Sequence, residues 1–73
     1  MNKSEFLQKL GYKIRILRDT KKLSQEKVSE ISQIDRGHIG TIERGEVDAR
    51  ISTLKQIADA LGVDITELFN FTI

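Results

Sequence analysis

The apolar residues of this chain recur at helical spacing, and this pattern constrains its fold more than any other feature. Phe6, Leu10, Ile14 and Leu17 are separated by four, four and three positions, which places them on one side of an α-helix. The chain contains no proline, so no residue of that type interrupts such a helix. The sequence therefore predicts an all-α fold with short connections, beginning with a helix from about Ser4 to Lys21.

Capping residues divide the middle of the chain into two short helices. Ser24 can accept hydrogen bonds from free amides of a first helical turn, which predicts a second helix over Gln25–Ser32. Asp35 is a suitable cap for a third helix that runs to about Arg44. Gly45 can adopt the left-handed conformation that ends it. A tight turn therefore connects the second and third helices.

Two further helices are predicted in the last third of the chain. A buried helical face is formed at the spacing i, i+3, i+6, i+7, i+10 by Ile51, Leu54, Ile57, Ala58 and Leu61. Asp48 is the predicted cap of this fourth helix, and Gly62 its end. Asp64 followed by Glu67 resembles a capping box, which predicts a short fifth helix from Ile65 to about Phe69.

The length and composition limit what the chain can be. With 73 residues we expect one domain over 1–73, too small to carry a separate sensor for a small-molecule ligand. The absence of cysteine excludes disulfides and thiolate metal sites, and the first thirty residues lack the pattern of a secretory leader. The hydrophobic fraction of 38% and the charged fraction of 32% are those of a globular protein without membrane spans. We expect a cytoplasmic protein.

The sequence offers no recognisable catalytic set. His38 is the only histidine, and we find no paired carboxylates, no nucleophile with a base, and no glycine-rich loop for phosphates. We therefore expect neither an enzyme nor a protein with a metal or another cofactor.

Basic residues are concentrated at one end of the chain although the net charge is only +1. Residues 1–22 hold seven basic and two acidic side chains, whereas residues 45–73 hold two basic and five acidic ones. Such asymmetry suits a protein with one anion-facing side. By itself it is equally compatible with basic residues that only solvate a helix.

The second and third helices have the local form of a helix-turn-helix. The second helix of such a unit fits the major groove of B-DNA, where side chains near its N-terminus contact base edges. Ile39 and Ile42 are predicted to face inward. The positions predicted to face outward are Arg36, Gly37, His38, Gly40 and Thr41.

Three runs of sequence resemble the phage repressor and Cro-type helix-turn-helix family. They are Leu23-Ser24-Gln25-Glu26, the run from Asp35 to Gly45 (DRGHIGTIERG), and the run from Leu54 to Phe69. The resemblance extends from about Leu10 to Phe69, and it includes short phage repressors and the controller proteins of restriction-modification systems. It implies a compact five-helix, lambda-repressor-like fold that binds specific double-stranded DNA, usually as a homodimer.

The resemblance also implies roles for individual residues. Gln25 would bind a phosphate at the start of the second helix and could brace the third helix. Arg36 would donate two hydrogen bonds to a guanine, although an idle surface arginine is the alternative. Gly37 would allow close approach, His38 would donate to a base or phosphate, and Thr41 would contact a thymine methyl group or a phosphate.

The loop after Gly45 departs from the family pattern because it carries Glu46 and Asp48 where basic residues are usual. Phosphate contacts from this region would therefore fall to Arg44 and Arg50, or be reduced. Two further departures are Ser29, where the family usually has alanine, and Gln33, where glycine is common at the turn.

One ion pair is also implied by the resemblance. In this family, an arginine near the end of the first helix often pairs with the glutamate that precedes the final glycine of the third helix. Arg18 and Glu43 occupy those positions, and we interpret both as structural.

Homodimerisation is expected because one recognition helix contacts too few base pairs to select an operator. Apolar residues near the C-terminus are candidates for the interface, although some of them must complete the core of the monomer: Ile65, Leu68, Phe69, Phe71 and Ile73. The alternative function is a protein-interaction module of the same fold, of the antitoxin or anti-repressor type, that does not read the groove.

Overall fold

A computed structural model describes residues 1–72 and contains four α-helices followed by a 3-10 helix, with no strand among those residues. The α-helices are α1 (Lys3–Thr20), α2 (Gln25–Ser32), α3 (Arg36–Glu43) and α4 (Ile51–Leu61). The all-α, lambda-repressor-like fold class is confirmed. Ile73, which the sequence placed in a dimer interface, lies outside the described residues.

The predicted short fifth helix is present over Ile65–Phe69, but it is a 3-10 helix, so the structure has four α-helices and not five. The amide of Glu67 donates to the carbonyl of Asp64 at 2.9 Å, and that of Asn70 to Glu67 at 3.3 Å, both across three residues. A five-residue segment tolerates this tighter winding because it is so short. The Asp64 carboxylate accepts hydrogen bonds from the amide and the hydroxyl of Thr66, and these two bonds lower the pKa of Asp64 below its ordinary value.

Local capping explains where most helices begin. The side chains of Ser24 and Asp35 accept backbone amides of the first turns of α2 and α3, as predicted. The prediction of Asp48 as the cap of α4 is wrong. Arg50 occupies the cap position without a side-chain hydrogen bond, since α4 begins three residues beyond Asp48. Asp48 instead lies 3.4 Å from the ammonium of Lys3.

The core lies between the helices and draws on all of them. Each helix contributes a side chain that is at most 1% exposed; from α1 to the 3-10 helix these are Ile14, Val28, Ile39, Ile57 and Leu68. Phe6, which the sequence placed on the apolar side of α1, is 37% exposed and packs its ring against Phe71. Burial of these residues is the main source of stability in so small a protein.

The turn between α2 and α3 is held by serine side chains. Gln33 adopts a left-handed conformation with φ of 64°, the conformation for which glycine is favoured. Ser29 donates its hydroxyl hydrogen bond to the carbonyl of Ile34, and Ser32 accepts from the amide of Ile34. The serine at position 29 therefore fixes the turn where an alanine could not.

Helices α1 and α3 cross in direct backbone contact at Gly11. A Cβ atom at this position would lie 2.5 Å from the carbonyl oxygen of Glu43 and even closer to that of Ile42. No side chain separates the two helices at the crossing. None of the helices described over residues 1–72 is long and apolar enough to cross a membrane.

Candidate nucleic-acid interface

The amino-terminal end of α3 is exposed and carries the three side-chain positions that the sequence placed in the groove. We call Arg36, Gly37 and His38 the reading end of α3, and all three are exposed. The Asp35 carboxylate accepts from the amides of Gly37 at 2.9 Å and His38 at 3.3 Å, which fixes the first turn. The Arg36 guanidinium is 66% exposed and lies 3.9 Å from a carboxylate oxygen of Glu26.

The next turn of α3 differs in part from the prediction. Gly40 is buried and does not face outward, because a Cβ there would lie 3.1 Å from the Arg44 guanidinium and 3.6 Å from the Gln25 amide oxygen. Thr41 is half-buried and donates its hydroxyl hydrogen bond to the carbonyl of His38 at 2.8 Å. The reading end is therefore the freely accessible part of this helix.

Arg18 and Glu43 form the ion pair that the resemblance implied. Arg18 Nε lies 2.7 Å from Glu43 Oε2, and Arg18 Nη2 donates to Oε1 at 3.0 Å. Arg18 Nη1 also donates to the carbonyl of Leu23 at 2.9 Å. The two side chains are 12% and 3% exposed, and the hydrogen bonds to Glu43 raise the pKa of Arg18 above its ordinary value. The ion pair therefore ties α1 to α3.

Gln25 joins this network from the start of α2. Its Nε2 donates to Glu43 Oε1 at 2.9 Å, which is the bracing role considered from the sequence. Glu43 thus accepts from side chains of both α1 and α2 while belonging to α3. Helices α1, α2 and α3 are therefore connected through one carboxylate.

A polar cleft of about 270 Å³ opens where these three helices meet. We call it the arginine cleft, and its lining consists of Arg15, Arg18, Gln25, Glu43 and Arg44. Sequence analysis missed Arg15, although it precedes Arg18 by one helical turn and the spacing i, i+3 places both on one side of α1. The Arg18 guanidinium is engaged by Glu43 and Leu23, whereas Arg15 and Arg44 are exposed. These two exposed guanidinium groups favour an anionic ligand, because arginine binds phosphate with several donors at once.

Arg44 and Arg50 differ in their surroundings. Arg44 is bound by Glu46 through two hydrogen bonds, Nε to Oε2 at 3.0 Å and Nη2 to Oε1 at 3.2 Å. These bonds raise the pKa of Arg44. Arg50 is exposed at the cap position of α4. Within residues 1–72 no group of three or more potential metal ligands is found.

The C-terminal residues that the sequence assigned to a dimer interface separate into three groups. Leu68 is 0% exposed and belongs to the core of the monomer, so its assignment to the interface is wrong. Ile65 and Phe71 are half-buried against the core. Phe69 is 38% exposed and is the most accessible of these side chains for a second copy.

Two short helices joined by a tight turn, with an exposed amino-terminal end on the second, define a helix-turn-helix protein. The profile of the helix-turn-helix family HTH_3 matches residues 14–68, and the chain belongs to this family.

Similar proteins include controller proteins of restriction-modification systems. The control protein C.SmaI of Serratia marcescens is 39% identical over 59 residues, which cover 81% of this chain and 70% of C.SmaI. The crystal structure of the controller protein C.AhdI from Aeromonas hydrophila is similar with a TM-score of 0.85 and 38% identity, covering 86% of this chain and 96% of C.AhdI. A third similar structure is the C.Esp1396I tetramer in complex with its natural 35 base-pair operator, with a TM-score of 0.81, 31% identity, and coverage of 88% and 84%.

Proposed function

We propose that this protein is a transcription regulator of the controller type that binds a palindromic or pseudopalindromic operator as a homodimer. The observation that carries the proposal is the exposed reading end of α3, a helix that is held in place by the hydrogen bonds that Arg18 and Gln25 donate to Glu43. A preorganised helix end enters the major groove without further ordering of the protein, which lowers the entropic cost of binding.

The reading end supplies the base contacts in this proposal. Arg36 donates two hydrogen bonds to O6 and N7 of a guanine, and His38 donates to a neighbouring base or phosphate. Gly37 has no side chain and lets the helix backbone approach the groove. The hydroxyl proton of Thr41 is engaged with the carbonyl of His38, so the methyl group of Thr41 is the part available to a thymine.

The surrounding residues supply the phosphate contacts. One Nε2 proton of Gln25 is used by Glu43, and we assign the second to a phosphate oxygen at the start of α2. Arg44, which lines the same cleft as Gln25, and Arg50 at the start of α4 supply further contacts to the DNA backbone. Such contacts fix the register of the reading end but do not select a sequence.

Dimerisation supplies the remaining specificity. Two reading ends spaced roughly 34–36 Å apart contact successive turns of the duplex. The operator-bound relative is itself an assembly of several chains, which supports this reading. We assign to the second copy the exposed ring of Phe69, together with the half-buried Ile65 and Phe71.

The biological setting that we propose is a restriction-modification system. This proposal is supported by the similarity to the controller proteins C.SmaI and C.AhdI, since this protein matches almost the whole chain of C.AhdI. A restriction endonuclease gene downstream is the expected neighbour, whereas a divergent lysogeny cassette would indicate a phage repressor. The proposed activity is binding without catalysis, and its proposed location is the cytoplasm.

The test is selection of bound sequences from random double-stranded DNA, followed by Arg36→Ala. We expect the unaltered protein to select a two-fold symmetric motif. The Arg36→Ala variant should lose base preference at one position of each half-site, with a loss of binding free energy of about 1–3 kcal/mol for the preferred base. Lys55→Ala removes a cation on α4, outside the reading end and the arginine cleft, and should leave the motif unchanged. If Arg36→Ala weakened binding to all DNA sequences equally, Arg36 would be a phosphate contact and not a base contact.

The alternative function, a protein-interaction module, is favoured by the acidic loop after Gly45. The salt dependence of binding affinity separates the two functions. A DNA-binding protein loses affinity steeply with salt, by about 0.9 log units per neutralised phosphate for each log unit of salt. Failure to enrich any sequence at low salt would overturn the proposal.

A further inference from the structure

Several exposed arginines on the surface proposed to face DNA are paired with acidic side chains, and one of these pairs is much closer than the others. Arg15 lies 3.8 Å from Asp19 and Arg36 lies 3.9 Å from Glu26, both single long contacts. Arg18 is largely buried in its structural pair with Glu43. Among the exposed arginines only Arg44 has a two-bond pair, with Glu46 at 3.0 and 3.2 Å, and its charge is therefore the most directly compensated of theirs.

The backbone places Glu46 beside Arg44 through the end of α3. Gly45 is left-handed with φ of 71°, and its amide donates to the carbonyl of Ile42 at 3.0 Å. The amide of Glu46 then donates to the carbonyl of Thr41 at 2.9 Å, which completes a Schellman motif. Because the Glu46 backbone is fixed by this motif, its carboxylate starts close to Arg44 and loses little freedom when it binds.

The pair changes what Arg44 offers to the arginine cleft. Its guanidinium passes over Gly40 towards Gln25, and it lines the cleft together with Arg15 and Arg18. The Nε and Nη2 edge, which matches two oxygens of a phosphate, is occupied by Glu46. Both side chains of the pair are more than half exposed, so a phosphate can reach and displace the carboxylate.

We propose that Glu46 lowers the affinity of this regulator for its operator by competing with a backbone phosphate for Arg44. This inference rests on the proposed function. The carboxylate must leave the two-bond edge of Arg44 before a phosphate can take its place, and it then remains near the phosphate as a like charge. Glu46 therefore weakens binding to every sequence equally and leaves base preference unaffected, since phosphates carry no sequence information.

The experiment compares Glu46→Gln with the unaltered protein in operator titrations across a salt series. We expect the dimer to bind the operator more tightly by about 2- to 30-fold at low salt. The gain is limited because an exposed ion pair is weak, and it applies twice because each half-site holds one pair. The slope of log affinity against log salt should steepen by about 0.9 per half-site, since one more phosphate is neutralised in each. The selected sequence motif should stay the same.

The matched control is Asp59→Asn, which removes a carboxylate from the exposed pair of Lys55 and Asp59 on α4. The two carboxylates have similar exposure, 53% for Glu46 and 59% for Asp59. Asp59→Asn should change affinity less than twofold. An equal gain from both variants would reduce the effect to overall charge and overturn the proposal.

A second comparison uses Arg44→Ala as the background. If Glu46 acts by holding Arg44, Glu46→Gln gains less affinity in the Arg44→Ala protein than in the unaltered one. An equal gain in affinity in both backgrounds would mean that Glu46 acts only by repelling phosphates, which would overturn the competition for Arg44. Weaker operator binding by Glu46→Gln would also overturn it, because Glu46 would then be a residue that orients Arg44. Binding by the unaltered protein with no effect of Glu46→Gln overturns this inference alone, whereas absence of operator binding by every variant overturns the proposed function.

Discussion

Glu43 connects more of this molecule than any other single side chain described here. It accepts hydrogen bonds from Arg18 and Gln25, and its side chain is 3% exposed. A carboxylate so far from water is costly unless its oxygens are fully bonded, and Arg18 supplies both a charge and two donors. The value of the network lies in orientation, because it holds α3 against the two preceding helices.

Glu43→Ala is expected to destabilise the protein by about 2–3 kcal/mol, because it leaves the Arg18 guanidinium with little exposure and without its counterion. The double variant Arg18→Met with Glu43→Met should lose less, since no uncompensated charge remains. Urea denaturation followed by far-UV circular dichroism measures both. A melting temperature of Glu43→Ala equal to that of the unaltered protein would contradict this role.

Residue types with strong local preferences were predictable from the sequence. The caps Ser24 and Asp35 and the left-handed Gly45 depend on the few residues around them, and the structure has them as predicted. The inward position of Gly40 and the pairing of Arg44 with Glu46 depend on how helices cross and how a helix ends in space. Sequence periodicity carries no information on such contacts.

At the scale of elements, α-helix boundaries followed from the sequence to within one or two residues, and the turn inside the helix-turn-helix was the uncertain part. Its geometry is that of a glycine turn built with Gln33, whose Nε2 donates to the carbonyl of Glu30 at 2.9 Å. The buried Ile34 and the hydrogen bonds of Ser29 and Ser32 compensate for the strained backbone. The angle between α2 and α3 thus depends on tertiary packing more than on intrinsic preference.

Gln33→Gly should raise the free energy of unfolding by about 0.5–1 kcal/mol, because glycine relieves the left-handed strain at the cost of one exposed hydrogen bond. Gln33→Ala is the control, since it loses the same hydrogen bond and keeps the strain. Denaturant titration of the three proteins gives the order. Equal stability of the glycine and alanine variants would show that strain at this position is negligible.

At the scale of the whole molecule, opposite charges are separated along the chain. The basic α1 contributes Arg15 and Arg18 to the arginine cleft, whereas the C-terminal part is acidic and exposes Phe69. The reading end proposed for DNA and the aromatic residue proposed for contact with a second copy therefore lie on different elements, α3 and the 3-10 helix. The burial of Leu68 shows why a hydrophobic sequence pattern alone overestimated the interface.

Phe69→Lys is expected to raise the dissociation constant of the homodimer about tenfold or more, because the ring is lost from both copies and a charge replaces it. Sedimentation at micromolar concentrations measures the change. Ile31→Lys alters another exposed apolar residue, on α2, and should leave the dimer intact. Equal weakening by the two variants would place the interface elsewhere.

The crossing of α1 and α3 at Gly11 leaves no clearance between the two backbones. α3 therefore cannot be tilted or advanced in the groove by enlarging residues beneath it, since α1 blocks that adjustment. A new base preference has to be engineered by exchanging the outward side chains of α3. A methyl group added at Gly11 would instead push α3 away from α1 and displace the helix as a whole.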